Sequence, residues 1–227
     1  STYKRGIDFI LVSTSLLGCV DAAIGGKAAI NIGMEKNMVG LFTTPQAVIL
    51  DIKALTTLKR NHLAEGLVEA YKTGLVAEPL LASFIEDKLN SLLHRKMKNL
   101  AEVVYLSAKA KAEIVTYDFE EKGNRQVLNL GHTYGHVLEN SSQYRISHGQ
   151  AVAVGIVVAT LISRNRGLLR QSIVARIVST LSNFVPKNTT LPDVGKAWEA
   201  MQNDKKNIGN KVVFVLLECI GQPVIVD

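Results

Sequence analysis

Cysteine is scarce in this chain: two among 227 residues, Cys19 and Cys219, each in apolar surroundings. Two distant thiols make no disulfide framework, so both read as reduced core residues of an intracellular protein. Long apolar runs are lacking too. The run at 151–162 is too short to span a bilayer and is followed by Ser-Arg-Asn-Arg, so no membrane partner is expected. No secretory signal is expected, and a cytoplasmic location is. Lysine and arginine form no block and do not interleave with aromatics. The net charge of +6 therefore gives little support to a nucleic-acid partner, and it suits an anionic small substrate. Glycine and proline are ordinary in number, which argues against disorder, and 47% of residues are apolar, enough for a real core.

What is present is a concentration of histidine. His132, His136 and His148, three of only five, lie within seventeen residues, in Asn129-Leu-Gly-His-Thr-Tyr-Gly-His136 and Ser147-His-Gly149. His132 and His136 are four apart and share a helical face. Glu69 lies in the apolar helical stretch Gly66-Leu-Val-Glu-Ala-Tyr-Lys-Thr-Gly74, where a buried carboxylate needs a partner or a metal. With His132 and His148 it makes a Glu-His-His set suited to zinc. The alternatives are histidines that merely brace two helices and a Glu69–Lys72 ion pair on a solvated face. Lys111, Arg125 and Asn129 offer two cations and an amide near that set, a grouping suited to an anionic ligand or to ordinary surface charge. Gly25-Gly26-Lys27 has some phosphate-binding logic but lacks the spacing of a Walker motif, and taken alone it reads as a turn.

The first fifty residues look α/β, with short β-branched runs at 7–12 and 47–50. From about residue 54 the chain turns helical. Apolar spacing near 3.6 marks 62–76, 79–93, 97–117, 131–141, 149–165 and 169–181. A closing hairpin is expected from 207–210, 212–217 and 223–226. The fold class is thus an α/β remnant followed by a mainly α-helical domain, with the boundary placed between 1–55 and 56–227.

Taken in order, Asp21…Gly-Gly-Lys27…Asn31…Lys36-Asn37, Glu69-x-x-Lys72, Lys111-Ala, Gly-x-Arg125, Asn129-Leu-Gly-His-Thr-Tyr-Gly-His136, His148-Gly and Asp204-Lys-Lys206 resemble the 3-dehydroquinate synthase family of the shikimate pathway. The resemblance runs the length of the chain and implies that family's helical C-terminal domain. Family members convert 3-deoxy-D-arabino-heptulosonate 7-phosphate to 3-dehydroquinate and phosphate, with NAD reduced and reoxidised in one turnover and a metal as Lewis acid. NAD and zinc (or cobalt) are the implied cofactors, a sugar phosphate the substrate, and a homodimer the expected assembly.

The same resemblance assigns roles. Glu69, His132 and His148 resemble the metal ligands. Lys27, Asn37, His136 and one of Lys205 or Lys206 resemble the phosphate site, with Arg5 reaching a neighbouring subunit's site. Lys111, Arg125 and Asn129 resemble the carboxylate site. Asp21, Lys72 and Glu121 would hold the hydroxyls and local network. Thr14, Ser15, Leu17, Lys36, Asn37 and Thr57 resemble positions near NAD. Two residues depart from the family pattern: Ala28 stands where threonine is usual, and Gln150 where glutamate is usual. By these motifs Ser1 falls after the glycine-rich stretch of a nucleotide-binding domain. The adenosine and pyrophosphate subsites are therefore expected to be missing and the chain inactive alone. Competing readings are another sugar-phosphate cyclase, a metal-dependent polyol dehydrogenase, and a non-catalytic helical binding domain. Lys111 with Arg125 argues against the first, because such substrates lack the carboxylate; Lys27 with His136 argues against the second.

Overall fold

The structure, a computed structural model, describes residues 6–32, 35–143, 145–185, 189–202 and 211–227; the side chains of 31, 32 and 35–37 fall outside that description. Strand β1 (Ile10–Ser13) pairs in parallel with β4 (Ala47–Leu50), Ile10 opposite Ala47. Between them β2 (Lys27–Ile32) and β3 (Glu35–Phe42) form an antiparallel pair with a register shift between Ile30 and Ile32. Strands were expected at 7–12 and 47–50. The second falls as expected and the first starts three residues later; the β2–β3 pair was not foreseen. Asp21 lies in a π-helical turn, Gly18–Ala22, just before it.

Six helices follow: α1 (Arg60–Val76), α2 (Pro79–Leu93), α3 (Met97–Tyr117), α4 (His132–Ser141), α5 (His148–Asn165) and α6 (Gln171–Leu181). The apolar period marked each of them, two to the residue. A seventh, α7 (Val194–Gln202), was not anticipated. A hairpin of β5 (Phe214–Cys219) and β6 (Gln222–Val226) closes the chain as expected, whereas 203–210 lie outside the described residues.

Helix α1 is the axis of the body. Every residue from Gly66 to Val76 is buried. Such a helix presents no solvent face, so its polar residues must find partners inside. Helices α4 and α5 cross closely because small residues meet there. Gly131 has φ +79°, which begins α4 one residue later than the apolar period suggests. A Cβ on Gly155 would lie 1.9 Å from the Gly131 carbonyl oxygen. That approach sets His132, first residue of α4, beside His148, first residue of α5. The Ser147 N–H donates to Gln150 Oε1 at 3.1 Å and fixes the start of α5. Gln150, which departs from the family pattern, thus has a capping role.

Candidate metal centre and active site

Glu69 is fully enclosed midway along α1. Its Oε1 lies 3.7 Å from His132 Nε2 and 3.4 Å from His148 Nε2. Among the described residues neither carboxylate oxygen receives a well-directed hydrogen bond, although the Lys72 ammonium is in ion-pair contact with Oε2. One ligand atom from each of Glu69, His132 and His148 falls within 4.8 Å of the others. An enclosed carboxylate with under-used oxygens, facing two imidazole nitrogens, is the donor set of a borderline-soft divalent metal with an open position. The residues fit zinc or cobalt. Burial pushes the Glu69 carboxyl up, but Lys72 and then the two histidines outweigh it and hold it well below the usual range. His148 is pushed up to about 9, first by Glu139 and then by Glu69.

A row of charges leads away from this centre. Lys72 is buried between Glu69 and Asp21, 3.9 Å from Asp21 Oδ2. Lys111, also buried, donates to the Asp21 carbonyl at 2.5 Å and pairs with Oδ1. Burial lowers the Lys111 ammonium's proton affinity and Asp21 partly restores it. Burial would raise Asp21, yet Lys72 and Lys111 hold its carboxyl below the ordinary value. A turn 90 residues distant is thereby tied to α3.

Residues 118–129 form the next wall. Asp118 accepts backbone N–H bonds from Lys122 (2.9 Å), Gly123 (2.8 Å) and Arg125 (2.9 Å). Arg125 is buried and donates to the Phe119 carbonyl at 2.6 Å and the Gly25 carbonyl at 3.0 Å. Gly25, at φ +118°, has no room for a side chain, because a Cβ there would lie 2.3 Å from Arg125 Nη2. Glu121 sits at φ +59°, accepts from Asn129 Nδ2 at 2.8 Å, and pairs with Lys27. The His136 ring stands edge-on to His132, centroids 5.5 Å apart. Lys27 and Lys111 are thus already engaged by carboxylates, and Arg125 by two carbonyls.

A pocket of about 540 Å³ opens between β1 and the β2–β3 pair, lined in part by Thr14, Ser15, Gly26 and Lys27. Leu17 and Thr57 do not line it; Thr57 is exposed and donates to the Ala54 carbonyl at 3.1 Å. Arg5, Lys205 and Lys206 lie outside the described residues, as do the side chains of Lys36 and Asn37. One residue escaped sequence reasoning. Glu139, buried on α4, faces His148 Nδ1 at 3.4 Å.

Comparison with known proteins decides the family. Residues 66–207 match the 3-dehydroquinate synthase C-terminal model, and residues 1–65 match the N-terminal one. The chain belongs to the 3-dehydroquinate synthase family. It is 38% identical to the 3-dehydroquinate synthase of Vesicomyosocius okutanii, covering 100% of this chain and 64% of that one. With the Nitrosospira multiformis synthase it shares 40%, covering 98% and 61%. It therefore spans less than two thirds of these relatives. Among solved structures, 2-deoxy-scyllo-inosose synthase with carbaglucose-6-phosphate, NAD+ and Co2+ superposes with a TM-score of 0.87 at 28% identity, over 98% of this chain and 63% of that one. ValA, a 2-epi-5-epi-valiolone synthase from Streptomyces hygroscopicus with NAD+ and Zn2+ bound, shares the fold, with a TM-score of 0.90 at 24% identity over 100% and 64%. The fold of this synthase family, with a mainly helical C-terminal part, is thus the fold of this chain. Among the described residues, no helix is long and apolar enough to cross a membrane.

Proposed function

We propose that this chain carries the metal- and substrate-binding part of a 3-dehydroquinate synthase, which forms 3-dehydroquinate from 3-deoxy-D-arabino-heptulosonate 7-phosphate with loss of phosphate. The observation that carries the reading is the convergence of Glu69, His132 and His148 in an enclosed setting. Relatives at 38–40% identity are named for this reaction, whereas the cyclases acting on other sugars stand at 24–28%. When bound, the metal supplies Lewis acidity toward a hydroxyl or carbonyl oxygen, and NAD accepts and returns a hydride.

The chain's own residues do the rest. Glu69, His132 and His148 hold the metal. Lys72 stays charged beside Glu69 and Asp21, and it orients both. Lys27 and His136, with the expected Asn37 and Lys205 or Lys206, receive the phosphate; Arg5 is assigned there from a second copy in a homodimer. Lys111, Arg125 and Asn129 receive the substrate carboxylate. Glu121, engaged by Lys27 and Asn129, links these two anion sites. Thr14 and Ser15 line the pocket proposed for the nicotinamide end of NAD, and Lys36 and Asn37 are proposed for the same end; Leu17 and Thr57, which the family resemblance places near NAD, do not line it. The division at 55/56 assigns the pocket wall to one domain and the metal centre to the other. The pathway is the shikimate route and the setting cytoplasmic.

Elemental analysis of the purified chain tests the core of this reading. The parent should retain about one equivalent of zinc and His132→Ala should retain none; equal retention would overturn it. Calorimetry tests the pocket. The pocket is walled by strands that stand largely open (Ile10, Val12 and Ile30 are exposed), so NAD should bind to it more weakly than about 1 mM. Micromolar affinity would contradict that.

A further inference from the structure

The two histidines of the metal centre are held in matching ways by unlike groups. His132 turns Nδ1 to the Leu130 carbonyl at 3.2 Å and Nε2 toward Glu69. His148 turns Nδ1 to Glu139 Oε2 at 3.4 Å and Nε2 toward the same Glu69 oxygen. A neutral imidazole carries one N–H, and a metal needs the other nitrogen bare. An acceptor at Nδ1 keeps the proton there and leaves the Nε2 lone pair to the metal. A backbone carbonyl does this for His132; a carboxylate from the neighbouring helix does it for His148.

The difference has a physical reason. The His132 side chain is 11% exposed, whereas that of His148 is 36% exposed. A half-exposed ring at the first position of a helix keeps alternative rotamers open unless something grips it. Glu139 lies on α4, which the Gly131–Gly155 approach presses against α5. It is itself buried, so its grip on the ring is not diluted by water. It also places a second carboxylate beside the centre, 3.4 Å from the His148 ring.

We propose that Glu139 is a positioning residue that holds His148 through Nδ1 and so selects Nε2 as the metal-facing nitrogen; this rests on the metal reading given above. The test uses the 227-residue chain with Glu139→Ala and Glu139→Gln, and zinc affinity is measured by competition with a chromophoric chelator. Removing such an outer partner should weaken zinc by about 10- to 100-fold in Glu139→Ala. Glu139→Gln keeps an acceptor oxygen and should recover most of the affinity. The visible spectrum of the cobalt-loaded chain should change in Glu139→Ala and return toward the parent's in Glu139→Gln, a signature that a purely structural role would not move. Parent-like affinity and spectrum in Glu139→Ala would overturn the proposal. So would a loss that Glu139→Gln fails to recover, accompanied by a lower melting temperature of the metal-free chain. A parent that takes up no zinc would instead overturn the metal reading itself.

Discussion

Leu67 on α1 and Ile49 on β4 are both aliphatic residues in regular structure, yet Leu67 is fully enclosed and Ile49 is 50% exposed. The contrast holds for the regions around them. Helices α1 and α5 are covered on nearly every side, while Ile10 and Val12 on β1 also stand open. Parallel strands are ordinarily covered on both faces, and this pair is not. The proposed metal ligands come from α1, α4 and α5, the covered region. The pocket assigned to NAD is walled by the uncovered one. The two proposed ligands therefore depend on regions of very different packing.

The contrast can be broken at several points. Leu67→Ala should cost about 3 kcal/mol, as expected for a truncation in a sealed core, read from urea unfolding. A loss near zero would mean that α1 is not the axis described. Zinc should stabilise the chain by about 2.7 kcal/mol at a hundredfold excess over its dissociation constant, while NAD at about 0.1 mM should leave the melting temperature unchanged. If NAD raised it and zinc did not, the assignment of ligands to regions would be reversed. The 118–125 loop gives a smaller, pH-dependent effect. Backbone N–H bonds, that of Arg125 foremost, hold the partly exposed Asp118 carboxyl below its ordinary 3.8. A depressed carboxyl stabilises fully above its unfolded value and loses that contribution as pH falls through the folded one. Between about pH 6 and about pH 3 the parent's urea midpoint should fall more than that of Asp118→Asn, and parallel curves would contradict this. Smallest of all, Ile49→Thr should stay within about 0.5 kcal/mol of the parent. A cost like that of Leu67→Ala would show that β4 is covered after all.

The sequence made the helices legible because each repeats its apolar residues over nearly three turns or more. The metal trio was legible because histidines are few and Glu69 sits in an apolar stretch. Three features were hidden. The β2–β3 pair follows a double glycine and begins Lys-Ala-Ala, where two alanines in succession blur the alternation that marks a strand. Helix α7 is nine residues long with glycine second, too short to establish a period. Glu139 acts through a contact that spacing does not announce, as does Asp21, which only the family resemblance had brought into the site. Glu139 meets a ring nine residues on across a helix crossing, and Asp21 meets a lysine 90 residues away.

Glu69, Lys72, Asp21 and Lys111 alternate in sign, and three of the four are buried. The row carries as many positive as negative charges. A dication entering beside Glu69 leaves it with a positive surplus in a place where water screens little. Any anion settling near Lys111 or Arg125 reduces that surplus. By linkage each ligand then tightens the other by the same factor, whichever arrives first. A carboxylate- or phosphate-bearing molecule held at Lys111 or Arg125 would thus raise the affinity for zinc.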